Sequence, residues 1–142
     1  DLTGYYFPSY PGKPTDKELF QLKKKALNLG LNISWTGVRN DFANPDAKAR
    51  EADREMIKQW LQTSSKLGAS IMRIFAGTNK HEGFSRSEVK DWMVEEFKKC
   101  ADYAKETGVL AGLQHHNDFL YTADEVIDIL KRVNSEWFGL IL

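Results

Sequence analysis

Three glycines, Gly30, Gly68 and Gly108, constrain this chain more than any other feature. Each closes a stretch with helical periodicity, and each is followed almost at once by a strand-forming run. Glycine is expected there because a helix ends readily on a left-handed residue, a conformation that costs least without a Cβ. The spacing is roughly 40 residues, the length of one strand–helix unit.

The helix starts are equally explicit. Thr15-Asp16-Lys17-Glu18, Ser85-Arg86-Ser87-Glu88 and Thr122-Ala123-Asp124-Glu125 are capping boxes, and Asn44-Pro45 reads as an N-cap with proline in the first helical position. Leu19, Leu22, Ala26 and Leu29 form the buried stripe of the first helix, and Ile57, Trp60, Leu61, Ser64 and Leu67 that of the second. A long third helix ends at Gly108, and Val126, Ile127, Leu130 and Val133 mark a shorter fourth. Strands are predicted at 2–7, 31–36, 70–76, 109–114 and 137–142. Strict alternation implies parallel strands with right-handed crossovers, so that every carboxyl end lies on one face.

Strand faces distinguish an open sheet from a closed one. A doubly wound sheet is covered by helices on both sides and its central strands are continuously apolar. Here Asn32, Ser34 and Thr36 alternate with Leu31, Ile33 and Trp35, Arg73 stands between Ile71 and Phe75, and Leu110, Gly112, Gln114 and His116 alternate with Val109, Ala111, Leu113 and His115. One apolar, helix-packed face and one small or polar face predict an α/β fold of parallel barrel type. A complete barrel needs eight strands and about 250 residues. Five strands and four helices therefore predict a partial barrel, with residues 1–142 a single domain that is a segment of a longer protein. Pairing of two copies as a homo-oligomer is the other way to cover the open edges.

Twenty basic residues balance twenty acidic ones. That balance offers nothing to nucleic acid or to an anionic membrane surface, both of which favour basic patches, whereas a small neutral ligand is compatible with it. No apolar run reaches the roughly 18 residues that span a bilayer, and the N-terminus lacks the order of a signal peptide. The expectation is a cytoplasmic protein, unless an export leader has been removed. The single Cys100 shares helical spacing with Met93, Phe97 and Ala104 and is read as core.

The chemistry is expected at strand ends. Gln114-His115-His116-Asn117-Asp118 follows an apolar strand directly. By alternation Gln114 and His116 point inward and His115 points back toward the helices. His116 can bind a metal or a substrate, or shuttle a proton near neutral pH. Gln114 can bind a sugar hydroxyl, or a hard cation weakly, but cannot act as a base. Arg73 is costly to bury within a strand unless it meets an anion, which marks it as site-lining. Tyr6, Trp35 and Asn40 lie at or beyond other strand ends and join Arg73 and Asn117 as the substrate-binding set. His81-Glu82 is too closely spaced for a helical metal pair and is read as a solvated loop.

The series Leu67-Gly68-Ala69-Ser70-Ile71-Met72-Arg73-Ile74-Phe75-Ala76-Gly77, then Tyr103-Ala104-Lys105-Glu106-Thr107-Gly108-Val109, then Leu113-Gln114-His115-His116, resembles sugar phosphate isomerases/epimerases of the xylose isomerase-like TIM-barrel superfamily. The similarity covers nearly the whole chain, in order. It implies an α-hydroxy-carbonyl reaction in which a divalent metal (Mn, Mg, Co or Zn) holds adjacent sugar oxygens as Lewis acid and template. Family members commonly place a glutamate ligand at the position of Gln114, Asn-His at His115-His116, and an aspartate ligand just after the strand matching 137–142. Gln114 is thereby implied as a weak metal ligand and, with His116, as the catalytic pair; the remaining ligands are expected beyond Leu142. Two other readings are a carbohydrate-binding relative without catalysis, favoured by Gln114, and a relative of abasic-site endonucleases, which neutral net charge opposes.

Overall fold

The computed structural model describes residues 1–78, 81–116 and 119–142. Five strands, Leu2–Thr3 (β1), Trp35–Gly37 (β2), Ile71–Ile74 (β3), Leu110–Gln114 (β4) and Phe138–Ile141 (β5), pair in parallel in the order β1-β2-β3-β4-β5. Four helices connect them: Asp16–Asn28 (α1) follows β1, Ala47–Leu67 (α2) follows β2, Arg86–Thr107 (α3) follows β3 and Ala123–Val133 (α4) follows β4. Each strand pairs with the one before it in sequence. Right-handed crossovers in unbroken order place every helix on the same side, which is barrel geometry; a doubly wound sheet reverses its order once. The fold is thus a partial α/β barrel. Among the described residues no helix is long and apolar enough to cross a membrane.

The local signals work as read. Thr15, Ser85 and Thr122 each accept from the backbone N–H three residues on, and Glu18, Glu88 and Glu125 each reach back to the cap. Gly68 and Gly108 are left-handed C-caps, and Gly30, just past the cap of α1, has φ of 66°. The second helix is a correction: Asp46, not Asn44, is its N-cap, accepting from Lys48 N–H at 2.9 Å. Asn44 instead accepts from Asp46 N–H, making a turn that delays the helix by two residues.

The core lies between sheet and helices. Met72, Ile74, Ala111, Leu113 and Phe138 meet Ile57, Trp60 and Leu61 of α2, Met93, Phe97, Cys100 and Ala104 of α3, and Val126 and Ile129 of α4. Full burial of one such aliphatic or aromatic side chain is worth about 1.5–3 kcal/mol, so this layer carries most of the stability. The stripe predicted for α1 is covered only in part. Leu19 is buried and Leu29 is 63% exposed, because α1 lies at the end of the helix layer with α2 as its one substantial neighbour.

Strand β2 reverses the predicted facing. Thr36 is fully buried on the helix side, hydrogen-bonded to Ser64 Oγ of α2, and Ser64 donates onward to Trp60 O. A helix hydroxyl satisfies Thr36, so its polarity does not mark the inner face. Trp35 and Gly37 take that face instead. The first two strands are also shorter than predicted: β1 stops at Thr3, where Gly4–Tyr6 turns as a 3-10 helix, and β2 begins only at Trp35.

Candidate functional site

Arg73 lies near the carboxyl end of β3, in register with Gly37 of β2 on one side and Gly112 of β4 on the other. Gly37 makes the room it occupies, and Gly112 makes room for Ile141. A Cβ on Gly37 would stand 2.7 Å from Arg73 Nε and 2.8 Å from Nη2, and a Cβ on Gly112 would collide with the side chain of Ile141. With no side chain at Gly37 the guanidinium lies along the inner face, where Nη1 donates to Gln114 Oε1 at 3.2 Å. Aromatic rings wall it in: its carbon is 4.5 Å from the centroid of Phe75, 5.7 Å from Trp35 and 5.9 Å from Tyr5.

This cation is only 7% exposed, and among the described residues no carboxylate forms an ion pair with it. Nε and Nη2 are buried without a hydrogen-bond partner. Three aromatic faces offset part of the desolvation, since cation–π contacts are worth about 0.5–2 kcal/mol. A buried guanidinium edge without acceptors remains costly in this state.

Gln114 and His116 emerge on the same inner side, and the His116 ring is 5.7 Å from that of Phe75, partly open to solvent. His115 lines a groove on the helix side with Tyr121, Val126, Ile127 and Leu140. Trp35 belongs to the wall around Arg73. Tyr6 is 81% exposed, with its ring 5.1 Å from that of Tyr5. Asn40 is buried and fully engaged with backbone: Nδ2 donates to Phe75 O and Oδ1 accepts from Phe75 N–H, each at 2.8 Å, so it extends the end of β3 by a side-chain rung. Asn117 lies outside the described residues.

Two residues of this cluster, Phe75 and Tyr5, escaped the sequence reading. Phe75 was legible by alternation, two positions beyond Arg73. Tyr5 was not, because only the 3-10 turn after β1 swings it over the sheet end in place of Tyr6. Its phenol is held below the usual tyrosine range, first by hydrogen bonding to Arg73 and further by the charges of Arg73 and Arg39, against burial, which acts in the opposite direction.

Beside Tyr5 an open cleft of about 480 Å³ is lined by Tyr5, Tyr10, Pro11, Arg39, Asp53 and Met56. The Arg39 guanidinium is 5.8 Å from the Tyr5 ring, and the Tyr10 hydroxyl fixes the Arg39 backbone by bonding both its N–H and its carbonyl. Burial raises the Asp53 carboxyl above the usual range, although Asp53 accepts from Asp41 N–H at 2.7 Å. Asp41 in turn ties the loop after β2 to the loop after β3, accepting from Ala43 N–H, Thr78 N–H and the Thr78 hydroxyl.

A divalent cation fits these residues poorly. Among the described residues no group of three or more His, Cys, Asp or Glu side chains is gathered for a metal. Gln114, the expected ligand on this chain, offers its amide oxygen to a guanidinium, and a fixed positive charge 3.2 Å from a ligand atom opposes a cation there. The arrangement suits oxygen-rich ligands: apolar rings for C–H faces, an amide and a guanidinium for oxygens, and an imidazole at the mouth.

The family described as xylose isomerase-like TIM barrel matches residues 5–142. No curated protein is matched by the sequence. Among solved structures, D-psicose 3-epimerase from Clostridium cellulolyticum H10, solved with D-tagatose, superposes with a TM-score of 0.81 at 19% identity, over 97% of this chain and 50% of its own. An L-ribulose 3-epimerase gives 0.77 at 20% identity, over 90% of this chain and 46% of its own. A xylose isomerase-like TIM barrel protein from Mycobacterium smegmatis, solved with magnesium, gives 0.69 at 17% identity, over 89% and 46%. At these identities the likeness is one of fold. The chain spans about half the length of the solved structures it matches.

Proposed function

The chain belongs to the xylose isomerase-like TIM-barrel family, and from that premise we propose that it forms the sugar-binding segment of an isomerase or epimerase acting on an α-hydroxy-carbonyl sugar. The observation that carries this reading is the joined pair Arg73–Gln114 at the strand ends, enclosed by Tyr5, Trp35 and Phe75. Aromatic faces take the C–H side of a sugar ring or chain, while the amide and guanidinium take its oxygens. His116 stands at the open side of the cluster, where it would accept a proton from the carbon next to the carbonyl and return it to the neighbouring atom. The fold similarity to D-psicose and L-ribulose 3-epimerases supports the same substrate class. No step is assigned to a metal, since the described residues gather no group of ligands to hold one.

Turnover and binding of a panel of ketoses by the full-length protein, with and without chelator, test the reading. His116→Ala is expected to lower kcat by about 100-fold with KM little changed, the scale of a lost general base, and Gln114→Ala to raise KM. Failure to bind any sugar would overturn it. A second reading, a carbohydrate-binding relative without catalysis, is favoured by one observation: Gln114 is a neutral amide engaged by Arg73. Ketose binding without turnover, with or without added divalent metal, would establish that reading instead.

A further inference from the structure

A sugar held at Arg73, Gln114 and His116 leaves the open cleft beside Tyr5 without a task. That cleft is built rather than left over, because the three elements that line it are bonded to one another. Tyr10, in the loop after β1, holds the Arg39 N–H and carbonyl after β2; Trp60 Nε1 of α2 donates to Pro11 O at 3.1 Å, and Asp53 of α2 accepts from Asp41 N–H. Tyr5 and Tyr10 stand edge to face, with ring centroids 6.2 Å apart and planes at 85°, so the two rings form a corner. Arg39 and Asp53 line the same cleft, and among the described residues neither forms an ion pair. They stand too far apart to neutralise each other. Asp53 Oδ2 is occupied by Asp41 N–H, whereas Oδ1 takes no hydrogen bond among the described residues. A hydroxyl is donor and acceptor at once, so a carboxyl that accepts and a guanidinium that donates can share a set of hydroxyls, while perpendicular rings take C–H faces. An ion of either sign would meet a like charge across the cleft, which selects a neutral polyol. The volume of about 480 Å³ accommodates a sugar ring. Tyr5 belongs both to this cleft and to the cluster at the strand ends, its ring 5.8 Å from the Arg39 guanidinium carbon and 5.9 Å from that of Arg73.

We propose that this cleft is a second sugar subsite, taking a neutral hexosyl ring attached to the sugar that is held at Arg73 and Gln114. The proposal rests on the sugar-binding reading and extends its substrate from a free ketose to a glycosylated one. The outer ring lies in the corner of Tyr5 and Tyr10, where its hydroxyls accept from Arg39 and donate to Asp53 Oδ1, both as charge-assisted hydrogen bonds.

The test is calorimetric titration of the full-length protein, with and without chelator, comparing fructose with four disaccharides that contain it. Turanose, maltulose and isomaltulose carry glucose on different oxygens of fructose, and lactulose carries galactose. At least one of the four is expected to bind about tenfold or more tightly than fructose, the scale of one hydrogen bond to a charged group. The linkage preferred then reports the direction in which the outer ring leaves the reacting sugar. Arg39→Ala, at an exposed position, and Met56→Trp, which fills the cleft, are each expected to abolish the advantage of that disaccharide over fructose. Asp53→Asn keeps an acceptor for Asp41 N–H and is expected to remove about threefold to tenfold of it. Should Met56→Trp fail to fold, Arg39→Ala carries the test by itself. No disaccharide tighter than fructose overturns the proposal and leaves the sugar reading standing. A disaccharide advantage retained in the folded Arg39→Ala protein overturns it as well. Absence of binding by fructose and by all four disaccharides overturns the sugar reading, and the subsite with it.

Discussion

Asn40 holds the site in place, and Glu125 ties the start of α4 to α3. The Asn40 carboxamide closes two hydrogen bonds on the Phe75 peptide, so Asn40→Ala would leave a donor and an acceptor unpaired at the point where β3 delivers Phe75 to the Arg73 cluster. With each unsatisfied group costing about 1–3 kcal/mol, a loss of about 2 kcal/mol is expected in urea unfolding, with an unchanged m-value. Glu125 is pushed upward by burial, yet hydrogen bonds from Arg86, Tyr121 N–H and Lys90 outweigh this and hold it at about 2, against an ordinary glutamate value of 4.5. A folded value below the unfolded one stabilises the protein above about pH 4.5, and that contribution is lost as pH falls toward 2. Glu125→Gln should therefore destabilise fully at pH 7 and progressively less below pH 4.5, read from thermal melts across that range.

Among the elements, the helices are written locally and the strands are not. Three capping boxes appear in the folded chain at the residues where the sequence places them, because each bond spans only three residues. Ser85→Ala removes the acceptor for Glu88 N–H and the hydroxyl that donates to the Glu88 carboxylate, leaving only the bond from Ser85 N–H to that carboxylate. A destabilisation of about 1 kcal/mol is expected, measurable by chemical denaturation, with Ser85→Asp largely neutral. The strands run only 2–5 residues and take their facing from what packs above them. Alternation orients β3 and β4 correctly, since Met72, Ile74, Ala111 and Leu113 are apolar enough to fix the helix side. It misorients β2, where Thr36 is buried against Ser64.

The whole molecule has a well-covered helix side and an inner side on which Trp35, Ile71, Leu110 and Ile141 are only half-buried. Strands β1 and β5 pair on one side each among the described residues, and Leu27, Leu29 and Leu31 stand 60% exposed or more near the β1 end. Apolar faces beside open strand edges favour association. Expressed by itself, this 142-residue chain is expected to sediment as dimers or larger species and to bind a hydrophobic dye. A monodisperse monomer without dye binding would show that these faces are tolerated in water.

The sequence by itself determined the order of elements, three helix caps, the parallel strands and the placement of Arg73 and Gln114 on one face. Those features follow from periodicity and from contacts a few residues apart. Only the tertiary structure decided that Arg73 reaches Gln114 across 41 residues, that Asn40 binds the backbone of Phe75 across 35, and that Tyr5 rather than Tyr6 turns over the sheet end. The two outcomes differ because a cap or an alternating strand needs no partner beyond its own turn or pleat. The partner of a buried polar group is set by which strands and loops packing brings together, and a neutral amide beside an arginine leaves no mark on local pattern.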